Sequence, residues 1–88
     1  MLAMAGEGAL MYYTYVLRSQ KDGKQYIGFT QDLIKRIREH ASGTVDATRD
    51  RRPFVLEYYE ACLSEKKAAE REKYFKTGFG RRFLKNRL

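Results

Sequence analysis

The apolar residues of this chain follow strand-like and helix-like patterns in alternation. Residues 11–17 are rich in tyrosine and β-branched side chains, which predicts a strand that is apolar on both faces. A turn region at 19–24 leads to a second predicted strand at 25–29. Polar residues 30–32 can cap a helix, and apolar positions recur at helical spacing over 33–40. The first half therefore predicts a hairpin followed by a helix.

The second half repeats a strand followed by helical segments. Residues 54–62 predict a third strand. A second helix follows, with Ser64 as its candidate N-cap. Gly78 and Gly80 then break the pattern, and a short basic helix resumes over 81–88.

Two hairpin registers are compatible with the pattern. A two-residue turn at 22–23 would pair Ser19 with Tyr26, whereas a four-residue loop at 19–22 would place Tyr15 opposite Tyr26. Both registers keep the two tyrosines on one face, because strand side chains alternate with period two. We prefer the longer loop, because the chemistry considered below requires the two hydroxyls to be close.

The first helix carries Arg36 and His40 one turn apart. Both residues fall on the border of its apolar stripe, so we expect them to face a cleft, neither fully buried nor fully in water. A pair of this kind on a solvated helix edge is the common alternative. The predicted stripe consists of Leu33, Ile34, Ile37 and Ala41.

Glu72 is an acidic residue on the apolar face of the second helix. It shares that face with Ala68 and Phe75, whereas Glu70 falls on the other side. A carboxylate that faces inward is costly unless it is paired or binds a metal. Glu72 is therefore a candidate metal ligand, and an ordinary salt bridge to Lys76 is the alternative.

Composition limits the chain to one small domain and favours an anionic partner. The 88 residues include 18 Lys and Arg against 11 Asp and Glu, a formal net charge of +7. Such a balance favours a polyanion, although a basic domain with no specific ligand is possible. We expect residues 1–10 to be a flexible leader and 11–88 to form the domain.

Cysteine and apolar content point to a protein of a reducing compartment. Cys62 is the only cysteine, so an intrachain disulfide is impossible, and we expect a cytoplasmic location. Residues 1–10 lack the basic start of a signal peptide, and no apolar stretch approaches the ~18 residues that a membrane span needs. With one histidine and one cysteine, a Cys/His zinc site is excluded.

The polar candidates together suit phosphodiester hydrolysis. Tyr15 or His40 could act as the base, although a phenol with a pKa near ~10 would need nearby cations or a metal to work at neutral pH. Arg36 has the forked, permanent charge that suits a phosphate. Glu72 offers the hard oxygen that Mg²⁺ prefers. Each residue taken alone has an ordinary structural explanation, and the case depends on all of them occurring together.

The order of these residues resembles the GIY-YIG nuclease domain. The resemblance runs from about Tyr12 to the C-terminus, and it is closest to small stand-alone bacterial proteins similar to the excision-repair nuclease subunit. In the first motif only the last tyrosine of the family pattern is retained. The matching positions are Tyr13-Thr14-Tyr15, Tyr26-Ile27-Gly28, Arg36, His40 and Glu70-Arg71-Glu72.

The resemblance implies an α+β fold, with a small three-stranded antiparallel sheet flanked by about three helices. It also implies a DNA endonuclease that depends on Mg²⁺ or Mn²⁺ and has little sequence preference or selects DNA by structure. Tyr15 would be the general base, Tyr26 would position water or phosphate, Arg36 would stabilise the transition state and Glu72 would bind the metal. His40 would orient or share the proton, and Gly28 matches the glycine of the second motif.

DNA is the expected partner, and RNA is not excluded. We expect phosphate contacts from a basic loop and from the C-terminal helix, because phosphate contacts position a nucleic acid without specifying its sequence. Two alternatives stay open: a nucleic-acid-binding module without activity, and a scaffold for a protein partner that supplies specificity. The candidate phosphate-binding residues are Arg49, Arg51, Arg52, Arg81, Arg82, Lys85 and Arg87.

Overall fold

Three antiparallel strands form one sheet, and helices cover both of its faces. A computed structural model describes residues 10–88. The predicted leader at 1–10 lies outside the described residues, apart from Leu10. The strands stand in the order β2-β1-β3, which confirms the predicted α+β fold. The elements are β1 (Tyr12–Ser19), β2 (Gln25–Thr30), α1 (Leu33–Ser42), a 3₁₀ turn (Arg49–Arg51), β3 (Phe54–Cys62), α2 (Glu65–Phe75) and α3 (Gly78–Lys85).

The central strand β1 sends alternate side chains into two separate cores, as its two apolar faces predicted. Val16 packs with Phe75 and Leu84, so α2 and α3 lie on its face. Tyr15 packs on the other face with Leu33 of α1. The sheet is thus the middle of three layers. No helix over residues 10–88 has both the length and the apolar character that a membrane crossing requires.

The hairpin adopts neither of the two predicted registers. Tyr15 pairs with Gly28, and Tyr26 pairs with Leu17, so the observed register lies midway between the two alternatives. Tyr15 is therefore not opposite Tyr26, and the preferred register was wrong. The two tyrosines do lie on one face, with ring centroids 6.4 Å apart.

Ser19 explains the observed register. Its hydroxyl accepts hydrogen bonds from the backbone N–H groups of Lys21 and Asp22, each at 3.1 Å. Its carbonyl accepts from the N–H of Gly23 at 2.9 Å, and Gly23 has the positive φ of 72° that this turn needs. Ser19 also pairs with Lys24, so the loop comprises residues 20–23. The side chain of Ser19, at the end of the first strand, thus sets the length of the loop and with it the hairpin register.

The buried face of α1 is rotated relative to the prediction. Asp32 caps the helix by accepting from the N–H of Lys35 at 3.1 Å. Ile34, predicted to be in the stripe, is 62% exposed, whereas His40 is only 1% exposed. The predicted border position of His40 was therefore wrong. The residues that face the sheet are Leu33, Arg36, Ile37 and His40.

The two glycines near the C-terminus begin a helix instead of separating two segments. The α3 helix begins at Gly78, where Thr77 caps it by accepting from the N–H of Gly80 at 3.1 Å. The predicted helix start at residue 81 was three residues late. A Cβ at Gly80 would lie 1.9 Å from the carbonyl oxygen of Tyr74, so the missing side chain lets α3 pack directly against the end of α2.

Candidate active site

Tyr15 and Gly28 fix the centre of the candidate site. Tyr15 lies on the middle strand and is 1% exposed. Its ring crosses the neighbouring strand at Gly28, where an added Cβ would lie 2.6 Å from the Tyr15 hydroxyl oxygen. A side chain at position 28 would displace the phenol. Gly28, which the sequence analysis marked as part of a motif, therefore has to lack a side chain for steric reasons.

His40 joins the Tyr15 hydroxyl to the loop that follows α1. Its Nε2 lies 2.8 Å from the Tyr15 oxygen, and its Nδ1 lies 2.7 Å from the hydroxyl oxygen of Thr48. Thr48 is completely buried. The sequence prediction missed Thr48, because nothing in the local pattern marks a threonine in a polar loop as a partner of His40.

Tyr26 completes the aromatic wall around His40. Its ring centroid lies 5.1 Å from that of His40 in an edge-on arrangement, a geometry that aromatic rings favour. Tyr26 is half-buried, and it lies on the edge strand β2. Phe54 of β3 lies on another side of His40 at 6.4 Å. These contacts hold the imidazole in one orientation.

Arg36 brings a positive charge beside the phenol. It lies one turn before His40 on α1 and is half-buried, as the sequence predicted. Its Nη1 donates to Glu39 Oε1 at 3.1 Å. The bond to Glu39 and the nearby Tyr15 hydroxyl raise the pKa of the Arg36 guanidinium. Glu39 was not predicted, and its carboxylate orients the arginine.

The electrostatic environment keeps both Tyr15 and His40 uncharged. Burial raises the pKa of Tyr15 to about 12; the guanidinium of Arg36 opposes this rise, while Tyr26 and Glu72 add to it. Burial also lowers the pKa of His40, and the charge of Arg36 lowers it further. The phenol therefore keeps its proton at neutral pH, and the imidazole beside it is a neutral base.

Glu72 approaches this group from the other layer of the molecule. It lies on α2, half-buried, with Oε2 at 3.7 Å from the Lys76 ammonium, so the alternative salt bridge is present but long. It forms no hydrogen bond to Tyr15, His40 or Arg36 among the described residues. Its carboxylate is nevertheless close enough to raise the pKa of Tyr15.

Glu72 is also the one predicted metal ligand. Among residues 10–88, no three His, Cys, Asp or Glu side chains gather around a common point. A metal held by the protein alone does not fit this site. A single carboxylate fits Mg²⁺ or Mn²⁺ that keeps water and phosphate oxygens as its other ligands, which is common for Mg²⁺.

The predicted basic loop is largely tied into the fold. Arg49 pairs with Asp46 and donates to the Gly43 carbonyl. Arg51 donates to Asp22 at 2.8 Å and stacks on a phenylalanine ring. Arg52 donates to the carbonyl oxygens of Arg49 and Ala41. These bonds give each of the three arginines a structural role in the loop.

A basic cleft runs along the free edge of β2. We call it the edge cleft; it encloses about 630 Å³ and has Tyr26 in its wall. Ile27 and the fully buried Phe75 lie behind its wall, and no acidic side chain lines it. Of the basic residues predicted to bind phosphate, Arg81 belongs to this cleft. Its cationic residues are Arg18, Lys24, Lys76 and Arg81.

The other predicted cations lie elsewhere on α3 or just beyond it. Arg82 and Lys85 are exposed, with Arg82 stacked 5.8 Å from the ring centroid of the exposed Phe79. Arg87 lies 3.7 Å from the Phe83 centroid. None of them lines the edge cleft. The structure therefore divides the predicted phosphate-binding set into separate surfaces.

Comparison with known proteins identifies relatives across most of the chain. A family model described as the GIY-YIG catalytic domain matches residues 11–86. A UPF0213 protein of Bacillus pumilus is 43% identical over 67 residues, which cover 75% of this chain and 67% of the relative. A UPF0213 protein of Desulfotalea psychrophila is 38% identical, and the match covers 69% of this chain and 56% of that protein. The matched segment thus spans about half to two thirds of these relatives.

A solved structure supports the same relationship. The solution NMR structure of the UPF0213 protein BH0048 from Bacillus halodurans superposes with a TM-score of 0.55 and 34% sequence identity. The superposition covers 88% of this chain and 84% of that one. The names of these relatives state no activity, so they establish kinship and fold only.

Proposed function

The chain belongs to the GIY-YIG family, a nuclease-type family, and from this premise we propose that it is an endonuclease that hydrolyses DNA phosphodiester bonds with a divalent metal. The observation that carries the proposal is the 2.8 Å hydrogen bond between the Tyr15 hydroxyl and His40, with Arg36 beside it. A neutral phenol bonded to a neutral imidazole, next to a fixed cation, suits proton transfer at an anionic substrate.

Tyr15 and His40 act together as the base in this proposal. A phenol with a pKa of about 12 is rarely ionised at neutral pH, so Tyr15 cannot remove a proton from water by itself. It can take that proton while passing its own to His40 Nε2, 2.8 Å away. The resulting hydroxide attacks phosphorus, the bond to the leaving oxygen breaks, and that oxygen is protonated from solvent.

Arg36 and Glu72 have electrostatic roles in the same proposal. The guanidinium of Arg36 stabilises the extra negative charge that the phosphate acquires during attack, and Tyr26 positions the water or the phosphate. Glu72 would hold Mg²⁺ or Mn²⁺, and nucleases of this family typically use divalent ions. When bound, such an ion stabilises charge on the leaving oxygen.

The edge cleft gives the nucleic acid a path to the site. Tyr26 belongs to the cleft wall and also contacts His40, and Lys76 lines the cleft and also pairs with Glu72. The cleft thus meets the candidate site at two points. We propose that it binds the phosphate backbone, with Arg82 and Lys85 as further contacts. Such contacts give little sequence preference, and they do not distinguish DNA from RNA.

A cleavage assay tests this function directly. Nicked, flapped, branched and plain duplex DNA would be incubated with Mn²⁺ and the wild-type protein, and with Arg36→Ala and Glu72→Gln. We expect both variants to lose about 100-fold or more in rate, as for the loss of one transition-state contact. Arg38→Ala and Glu70→Gln are matched controls, because these exposed residues lie two positions away on the same helices. Cleavage at the wild-type rate by the Arg36 and Glu72 double variant would refute the assignment.

A nucleic-acid-binding module without activity is the second candidate. The observation that favours it is the Glu72–Lys76 pair, because a carboxylate engaged with an ammonium is a poorer metal ligand. Salt-dependent binding with no cleavage of any substrate, unchanged by Glu72→Gln, would favour this candidate. A protein partner that supplies specificity stays a proposal, as does a cytoplasmic location, where the thiol of Cys62 would remain reduced.

A further inference from the structure

The hydroxyl of Thr48 is placed where a helix cap would be, but it serves His40 instead. Thr48 is the N-cap residue of the 3₁₀ turn Arg49–Arg51, a position where threonine normally bonds a backbone N–H of the helix. Here the side chain makes no such bond. Its oxygen lies 2.7 Å from His40 Nδ1 and 3.4 Å from the carbonyl oxygen of Val45.

Counting hydrogens along this chain of contacts selects one form of His40. The Thr48 hydroxyl has one hydrogen, and the Val45 carbonyl can only accept it. If that hydrogen points to Val45, then Nδ1–H of His40 donates to Thr48, and bare Nε2 accepts from Tyr15. Every hydrogen then points at an acceptor, and the Val45 carbonyl oxygen also accepts from the N–H groups of Thr48 and Arg49, at 3.1 and 3.0 Å.

The opposite arrangement leaves a hydrogen without an acceptor. If Thr48 donates to Nδ1, then Nε2–H of His40 donates to the Tyr15 oxygen. The hydrogen of the Tyr15 hydroxyl must then find another acceptor, and the described residues provide none. The nearby guanidinium of Arg36 only donates. Tyr15 is 1% exposed, so in the free protein bulk water does not accept this hydrogen either.

We infer that Thr48 is a positioning residue that holds His40 in the Nδ1–H form and thereby leaves Nε2 free to accept the Tyr15 proton. The hydrogen bond made by one imidazole nitrogen sets the state of the other, which is a general property of histidine. The fold supplies the hydroxyl through the turn after α1, where the N–H of Thr48 donates to Val45 at 3.1 Å. The role of Nε2 in cleavage rests on the proposed function; the form of His40 does not.

The form of His40 can be read directly by nitrogen NMR. His40 is the only histidine in the chain, so ¹⁵N-histidine labelling of the whole protein gives an unambiguous ring signal pair. At pH 7.5 we expect a protonated Nδ1 and a bare Nε2 in the wild-type protein. Thr48→Ser keeps the hydroxyl and should keep this pattern. Thr48→Val keeps the shape, removes the hydroxyl and should shift the ring toward the Nε2–H form.

Three results would overturn the inference: a wild-type ring protonated at Nε2, a Thr48→Val ring still fully protonated at Nδ1, or a Thr48→Ser ring shifted as in Thr48→Val. The wild-type measurement needs no variant, so a variant that fails to fold leaves the question decidable. Unchanged amide spectra of the sheet would show that the variants fold.

A cleavage measurement separates this inference from the proposed function. If the protein cleaves DNA, Thr48→Val should lose about 10-fold to 100-fold in rate, which is part of the ~10²–10⁴-fold that a positioned acid or base contributes, and Thr48→Ser should restore most of it. Full activity of Thr48→Val would refute the positioning role. If the wild type cleaves nothing, the proposed function fails, while the NMR result still decides the form of His40.

Discussion

Gly28 determines whether the Tyr15 phenol can reach His40. The ring lies so close to the backbone of β2 that an added Cβ would be 2.6 Å from the hydroxyl oxygen and 2.7 Å from the carbon that bears it. Neither atom can yield easily, because Tyr15 is buried and its oxygen is hydrogen-bonded. One missing side chain therefore permits the central contact of the site.

Gly28→Ala should damage both stability and the site. We expect it to lower the free energy of unfolding by roughly 1–3 kcal/mol, the usual range for overpacking a core. Urea denaturation measures this change, and the His40 ¹⁵N signals report whether the Tyr15 contact survives. Gly78→Ala is the matched control, because a Cβ at Gly78 meets nothing within 4 Å. A Gly28→Ala protein as stable as wild type would contradict this account.

His40 should titrate below the ordinary histidine value of about 6.5. Its pKa is lowered by burial and by Arg36, against the opposing charge of Glu39, while Tyr15 and Tyr26 face it from the sheet. The unfolded chain therefore takes up the proton first as the pH falls. His40 should leave stability unchanged above the ordinary histidine pKa of about 6.5, and stability should drop as the pH passes below it.

An NMR titration of the single histidine checks this prediction. The midpoint should lie below that of a histidine in a short peptide measured under the same conditions, and the melting temperature should fall as the pH drops from the peptide value to that midpoint. If cleavage requires neutral His40, its rate should also stay level down to the same midpoint. A midpoint at or above the peptide value would contradict the burial that the structure shows.

At the scale of the elements, the close contact of α2 and α3 depends on Gly80. A Cβ there would approach the Tyr74 carbonyl oxygen to 1.9 Å and the Phe75 Cα to 2.6 Å, and both are backbone atoms. Gly80→Ala should therefore cost about 3 kcal/mol or prevent folding. Gly78→Ala, two residues earlier in the same helix, should leave stability unchanged or raise it by up to about 1 kcal/mol. Thermal unfolding of the two variants tests the contrast, and equal stabilities would refute it.

The sequence predicted which segments form strands and helices better than it predicted the hairpin register and the buried face of α1. Strand β3 was placed correctly at 54–62, because its apolar and aromatic residues mark it locally. The hairpin register was wrong because a shift of two residues preserves which face Tyr15 and Tyr26 share, so the pattern cannot choose among such registers. The choice is made by Ser19, whose hydroxyl holds the turn. Such a role depends on loop geometry that hydrophobic periodicity does not contain.

Hydrophobic periodicity also failed to predict which face of α1 is buried against the site. Apolar periodicity placed Ile34 inside and His40 at the border, because a histidine counts as polar. His40 is buried because Tyr15 and Thr48 satisfy both ring nitrogens, which makes burial of a polar ring acceptable. Tyr15 and Arg36 were found from a motif, whereas Thr48 and Glu39 could not be, since their partners are known only once the layers are packed.

At the scale of the whole molecule, the cations behind the formal charge of +7 differ in how far they are already bonded within the protein. The arginines at 49, 51 and 52 are engaged with carboxylates, carbonyl oxygens or a ring. The cations of the edge cleft include Lys24 and Arg81, which are exposed. A phosphate backbone should therefore displace fewer internal bonds in the cleft than in the loop.

This difference predicts a contrast between two double variants with equal loss of charge. Lys24→Gln with Arg81→Gln removes two cations from the edge cleft, and Arg49→Gln with Arg52→Gln removes two from the loop. Each phosphate contact on duplex DNA contributes about 0.9 to the slope of log affinity against log salt. The cleft variant should lose about 1.8 of that slope, and the loop variant should stay near the parent protein in its slope.

Fluorescence anisotropy with duplex DNA, measured across a salt series in the Glu72→Gln background with chelator present, tests the contrast without cleavage. Both variants carry the same net charge, so an effect of overall charge would lower the two slopes equally. A loss confined to the loop variant would move the backbone path to that surface and away from Tyr26. A smaller salt slope in the cleft variant alone would place the DNA backbone in the edge cleft, beside Tyr26. From there the backbone reaches the hydrogen bond between Tyr15 and His40, which is the geometry that hydrolysis at this site requires.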